Sequence, residues 1–221
     1  MIRKTPLYRW IAARLTGHLL AFTARAITAV RADWQGIEPV DQQRVYFANH
    51  VSNADMPMIW TVLPGHMRAK TRPVAAADYW LKNKLRAFVG PEVFNCVLVD
   101  RRPEARTDDP MADIRTALDE GSSLIIFPEG NRNMTDDPLL PFRAGLYNMG
   151  RSHPNVDLVP TWVANLTTIM PKGEIIPLPL ICTVTFGTPI HVQDGEDKDA
   201  FLKRAANALV ALAPNRPDGA P

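Results

Sequence analysis

Cysteine is scarce in this chain: there are two in 221 residues, Cys96 and Cys182, each inside an apolar run. Neither belongs to a Cys-x-x-Cys pair, so no disulfide framework or thiolate zinc site is indicated, and two buried reduced thiols are expected. Long apolar runs are missing too. A membrane-spanning helix needs about 20 apolar residues, and the best stretch, LTGHLLAFTA, contains His18 and lies between Arg14 and Arg25. No secretory leader with a small-residue cleavage site is evident. Excess charge of one sign is also absent. The net charge of +2 gives no reason to expect a nucleic-acid partner. The five histidines form no H-x-x-x-H pair, and no metal site is expected.

What is present suits one α/β domain. Hydrophobic residues make up 46% of the chain and charged ones 22%, enough for a core and a soluble surface. Strand-like runs (RVYFANH, FNCVLVD, SSLIIF, VDLVPTWVA, LICTVTF) alternate with helical patterns, which implies a mostly parallel central sheet flanked by helices. SSLIIF, apolar on both faces, belongs in the middle of such a sheet. Ser52, Asn53 or Asp55 is placed to cap a helix through MPMIWTVL, and RPVAAADYWLKNKLRAFVG reads as a strand followed by a basic helix. Asp109-Pro110 starts a further helix that Gly121 ends, and a last amphipathic helix runs from Asp197 to Leu212.

The amino terminus is unusual in its charge. Its first 31 residues carry Arg3, Lys4, Arg9, Arg14, Arg25 and Arg31 but no acid. Leu7, Ile11, Leu15, Leu19 and Phe22 recur at helical spacing beside Trp10. This pattern fits a helix, or a pair of helices, lying in a membrane interface, and equally an amphipathic helix packed on the protein's own core. The pattern divides the chain into amphipathic helices over 1–32, one α/β domain over 33–213 and a disordered tail over 214–221.

Two loops follow two of the buried strands. FANHVSNADMP places His50 and Asp55 five apart, either a catalytic pair or two residues of a turn. IIFPEGNRN ends the most apolar strand, and chemistry in open α/β sheets gathers where strands end. Either loop alone is a weak signal.

Together, and in order, they resemble the glycerolipid acyltransferase family, typified by 1-acyl-glycerol-3-phosphate (lysophosphatidic acid) acyltransferases. The family's N-H-x4-D block matches Asn49, His50 and Asp55. Its strand ending in an acidic-basic pair matches Asp100 and Arg101. Its F-P-E-G-x-R block matches Phe127, Pro128, Glu129, Gly130 and Arg132, and its strand with an internal proline matches Pro160. PFRAG and FGTPI agree as well, so the resemblance runs from about residue 34 to 212. There are departures. Asn131 and Asn133 stand where Thr and Ser are usual, and Ala76 stands near a position that is often lysine, with Lys70, Arg72, Lys82 and Lys84 close in sequence.

The resemblance implies acyl transfer from a thioester (acyl-CoA or acyl-carrier protein) to the free hydroxyl of a lysophospholipid, with no cofactor. His50 would be the general base and Asp55 its orienting acid. With the substrate hydroxyl in place of a serine, no acyl-enzyme forms, and the chain indeed lacks a G-x-S-x-G elbow. Arg132, then Arg101 with Arg102, would bind an acceptor phosphate. Glu129 would hold the glycerol hydroxyl or orient Arg132. Gly130 and nearby amides would serve an oxyanion, and Asn131 would hydrogen-bond in the site. Asn49 would hold the His50 loop, and Ser52 would cap. The implied location is the cytoplasmic face of the inner membrane, as a peripheral (monotopic) protein. The alternatives are an acyltransferase for another lyso-lipid, an ornithine-type one included, a non-catalytic lipid-binding surface protein, and a metal-dependent hydrolase.

Overall fold

The computed structural model describes residues 6–100, 109, 111–164 and 182–214. The elements are α1 (Leu7–Thr28), β1 (Arg31–Trp34), β2 (Arg44–Ala48), α2 (Asp55–Val62), α3 (Gly65–Arg68), β3 (Thr71–Ala76), α4 (Ala77–Trp80), α5 (Lys84–Phe88), a π-helical turn (Val89–Val93) and β4 (Val97–Val99). They continue with α6 (Ala112–Asp119), β5 (Ser123–Ile126), α7 (Gly145–Ser152), β6 (Asp157–Ala164), β7 (Thr183–Phe186) and α8 (Lys198–Val210).

Among the described residues the strands form one sheet in the order β1-β7-β6-β2-β5-β3-β4. Every pairing is parallel except β6 with β7. The α/β class with a mostly parallel sheet is therefore as expected, and β5 sits between β2 and β3 with all four residues buried. Its period-two alternation feeds two cores. Ile125 joins Tyr46, Val159 and Phe186 under α2, while Leu124 and Ile126 join Phe47, Leu158 and Phe201 on the other face. Pro160 lies opposite Gly187, whose N–H it accepts at 2.9 Å. Lacking an N–H to return, the proline ends the β6–β7 ladder there.

The amino terminus is one helix over the described residues, and its packing inverts the usual amphipathic arrangement. The inward residues are small: Ala13, Gly17, Ala21 and Thr28. A Cβ on Gly17 would lie 3.3 Å from the Trp60 ring, so this stripe lets α1 settle closely onto α2. The large apolar residues face out, with Leu7, Leu15, Leu19 and Phe22 between 64% and 72% exposed. No described helix is long and apolar enough to cross a membrane. The division expected after residue 32 falls inside β1, which pairs with β7, so the helical segment ends at the left-handed Ala29. The tail beyond residue 214 lies outside the described residues.

Two local expectations change. The basic helix after β3 is split into α4, α5 and the π-helical turn: Asn83 is extended and caps α5, its side chain accepting the Arg86 N–H, and the Trp80 ring packs on Gly90, where a Cβ would come within 2.6 Å. A helix not foreseen, α7, covers GLYNMGRS and buries Leu146, Met149 and Gly150.

Candidate active site

β2 ends at Ala48, and its direction delivers Asn49 and His50 to the carboxyl rim of the sheet. The Asn49 amide acts like a piece of strand. Its Nδ2 donates to Val163 O at 3.0 Å and its Oδ1 accepts the Val163 N–H at 2.8 Å. The loop is thereby fastened to β6, the structural role expected of Asn49.

Asp55 opens α2 and is fully buried. None of Ser52, Asn53 and Asp55 caps that helix through its side chain; Ala54 occupies the N-cap position. Asp55 reaches backward instead. Its Oδ2 accepts the Val51 amide at 2.7 Å and the Ser52 amide at 2.8 Å, and lies 2.8 Å from His50 Nδ1. A three-donor oxygen of this kind folds the turn and fixes the ring together. Ser52 Oγ accepts the Ala54 N–H at 3.2 Å, a turn contact.

The second loop leaves β5, the parallel neighbour of β2, so both loops share one rim. The Phe127 ring stacks on the His50 imidazole, with centroids 4.2 Å apart and planes at 23°. Both backbone groups of His50 are also taken by this loop. The His50 N–H donates to Glu129 Oε1 at 2.8 Å, and His50 O accepts the Asn133 N–H at 2.6 Å. The imidazole is thus held by a carboxylate at one nitrogen, a ring on one face and two backbone bonds. Its side chain keeps 21% exposure, which leaves it reachable from outside.

Glu129 does not do what its sequence position suggests. Its Oε2 accepts the Leu140 N–H at 2.7 Å, so both oxygens serve backbone amides rather than Arg132 or an open hydroxyl site. Burial raises its pKa above the ordinary carboxylate value, against the lowering effect of those two amides. The Gly130 amide is also occupied, donating to Phe127 O at 3.0 Å, so it is not free for an oxyanion.

Gly130 matters through its backbone. At φ +74° it takes the left-handed conformation that glycine tolerates, and a Cβ there would lie 2.4 Å from Arg143 Nε. Arg143 therefore lies on the Pro-Glu-Gly turn, anchored by its own N–H donating to Pro128 O at 2.9 Å. Asn131 is exposed; in the amide orientation that satisfies both partners it donates to Gly130 O at 3.0 Å and accepts from Arg143 Nη2 at 3.2 Å. Arg132 is exposed beside it. Arg143 was missed in the sequence, although PFRAG was its signal.

Arg101 and Arg102 lie outside the described residues. Ala76 ends β3 on the same rim. The cations near it in sequence do not replace a lysine there. Lys70 pairs with Asp41, and Arg72 donates to Asn95 O at the opposite end of the strand. Lys82 and Lys84 are exposed on the α4–α5 segment. Among the described residues, no group of three or more His, Cys, Asp and Glu is placed to hold a metal ion.

The chain resembles known proteins in sequence and in fold. A family model described as Acyltransferase matches residues 31–164. A 1-acyl-sn-glycerol-3-phosphate acyltransferase of Limnanthes douglasii is 26% identical over 219 residues, 95% of this chain and 73% of the relative. One from Cocos nucifera is 26% identical over 171 residues, 74% of this chain and 51% of the relative. Among solved structures, the 1-acyl-sn-glycerophosphate (LPA) acyltransferase PlsC from Thermotoga maritima superposes with a TM-score of 0.68 at 17% identity. That superposition covers 95% of this chain and 82% of PlsC. At that identity the likeness speaks for the fold.

Proposed function

The chain belongs to the acyltransferase family, and from that premise we propose that it transfers a fatty acyl group from a thioester to the free hydroxyl of 1-acyl-glycerol-3-phosphate, giving phosphatidate. The acceptor is taken from the names of the similar proteins and from the arginines beside the Pro-Glu-Gly turn. The observation that carries the reading is the His50–Asp55 contact, with His50 clamped by the Phe127–Asn133 loop.

With Nδ1 committed to Asp55, His50 Nε2 is the nitrogen that takes the proton of the acceptor hydroxyl as its oxygen attacks the thioester carbonyl. The tetrahedral intermediate collapses with loss of the thiolate, to which the imidazolium returns the proton. One ester bond forms, one thioester bond breaks, and no acyl-enzyme intervenes. Such a base contributes about 10²–10⁴-fold. The buried Asp55 stabilises the imidazolium in a setting where water does not screen it. Arg132 and Arg143 hold the acceptor phosphate; charge-assisted bonds of that type are worth about 1.5–3 kcal/mol each.

The outward apolar face of α1, formed by Leu7, Leu15, Leu19 and Phe22, supports attachment in the plane of a lipid surface as a peripheral protein; the cytoplasmic side of the inner membrane is the location the family resemblance implies. In this reading α1 is the attachment segment and the sheet with its remaining helices is the catalytic domain.

The test is acyl transfer by the purified protein on vesicles, with labelled acyl-CoA in one arm and acyl-carrier protein in the other. A panel of lyso-lipids, an ornithine-type one included, is offered as acceptors, and products are identified by mass. Labelled phosphatidate as the main product is expected. Transfer to a neutral or ornithine-type acceptor in preference to 1-acyl-glycerol-3-phosphate would replace the proposed acceptor, and no transfer at all would overturn the activity.

A further inference from the structure

A second cationic locus lies away from His50. Between α1, α2 and the π-helical turn there is a cavity of ≈ 470 Å³. Thr71, the first residue of β3, and Thr61, at the end of α2, belong to this region, which places it at the amino-terminal rim of the sheet. The His50 and Pro-Glu-Gly loops stand at the opposite rim, and none of their residues lines the cavity.

Its walls combine Trp10, Trp60 and Gly17 with Arg9, Arg14, Arg68 and His18, and among the described residues the single acidic side chain lining it is Glu92. Glu92 is already matched by Arg9, to which both its oxygens are bonded. Arg14 and Arg68 pair with no carboxylate among the described residues. Each instead places its Cζ over a tryptophan ring, 4.9 Å from the Trp10 centroid and 4.8 Å from the Trp60 centroid. Arg25 comes to the same place: its Nη2 donates to Thr61 O at 2.6 Å, and Arg68 makes a longer contact of 3.4 Å to that carbonyl. One carbonyl cannot satisfy the donors of two guanidinium forks. Burial first, and the Arg25 cation second, hold the Arg68 pKa below its ordinary value, as expected for a cation lacking its anion.

From this geometry we infer that the cavity is a binding site for the phosphate group of an anionic phospholipid, separate from the site where acyl transfer takes place. Two guanidinium groups, each seated over a tryptophan ring with donors unused among the described residues, suit a phosphate, which accepts forked hydrogen bonds. The apolar walls suit the start of a lipid's chains. The outward apolar face of α1, whose other side lines the cavity, supplies the lipid as source. In that one respect the inference rests on the membrane reading proposed above. Occupancy would hold α1 against α2 and make surface attachment sensitive to anionic lipid.

Isothermal titration with short-chain lipids below their micelle threshold tests this without vesicles and without turnover. Dihexanoyl phosphatidylglycerol is the probe, with dihexanoyl phosphatidylcholine and inorganic phosphate as the other arms. Saturable binding of the anionic lipid is expected, weakened about 10- to 100-fold by Arg68→Gln and by Arg14→Gln. Arg14 is exposed, so its variant carries little risk to the fold. Arg132→Gln should leave the binding intact, which separates it from the acceptor site, and so should Arg86→Gln, a change in α5 at an arginine that lies over Tyr79 and does not line the cavity. Equal binding of phosphatidylcholine would overturn the inference. Inorganic phosphate binding as tightly as the lipid would overturn the assignment to a lipid headgroup. Loss of binding with Arg132→Gln but not Arg68→Gln would move the event to the proposed active site, and no saturable binding would remove the site altogether.

Discussion

His50 Nδ1 lies 2.8 Å from Asp55 Oδ2, and the same oxygen accepts two backbone amides from the turn that joins them. One atom therefore builds the loop and sets the tautomer of the ring. The other carboxylate oxygen, Oδ1, is buried and accepts no hydrogen bond from the described residues. A charge kept in that condition is costly, and functional sites are where such costs persist.

Asp55→Asn keeps the shape but removes the charge that stabilises an imidazolium. Its kcat should fall on the order of 10³–10⁴-fold, the scale seen when a buried orienting acid is made neutral. Circular dichroism should show a native fold. A kcat within tenfold of wild type would mean that Asp55 serves the turn alone.

Glu129 makes a pH-dependent prediction. Its pKa is raised above 4.5 in the folded protein, chiefly by burial. Between 4.5 and the raised value, the native state holds a proton that the unfolded chain has lost. Stability should therefore fall as pH rises through that window. In Glu129→Gln this contribution disappears, so the difference in urea midpoint between variant and wild type should change with pH there. A constant difference would contradict the raised pKa. The variant should also lose activity, since Glu129 joins the His50 loop to Leu140.

Arg132→Gln and Arg143→Gln should each raise the acceptor KM by about tenfold, the loss of one charge-assisted contact, with the donor KM unchanged. Equal increases in both KM values would show that neither arginine reads the acceptor's phosphate.

The cysteines should be inert. Burial pushes the Cys96 thiol up to about 12 and the Cys182 thiol up to about 11, the negative charge of Asp55 adding to the second. At neutral pH almost no thiolate is present, so a disulfide-exchange reagent should label neither until urea unfolds the chain. Rapid labelling of the native protein would place at least one thiol outside the core.

Much of the sheet was legible because β2 and β5 are apolar on both faces, and because His50 and Phe127 follow directly where those strands end. What the sequence concealed depends on partners far along the chain. Glu129 finds its donors at His50 and Leu140, which no local pattern reveals. The outward turn of Leu7, Leu15 and Leu19 follows from how closely Gly17 approaches Trp60, a property of the pair rather than of α1. Helix α7 was hidden because Gly145 and Gly150 lower helical propensity. Gly150 is there for space, since a Cβ would meet Val192 at 2.7 Å. Arg143 was visible in PFRAG but had no role until Gly130 was seen beneath it.

The most direct test of the account is turnover by His50→Ala on vesicles, with folding and vesicle binding measured on the same preparation. A general base at His50 predicts a fall in kcat of about 10²–10⁴-fold with fold and attachment unchanged. Turnover close to wild type in a folded, vesicle-bound protein would contradict it.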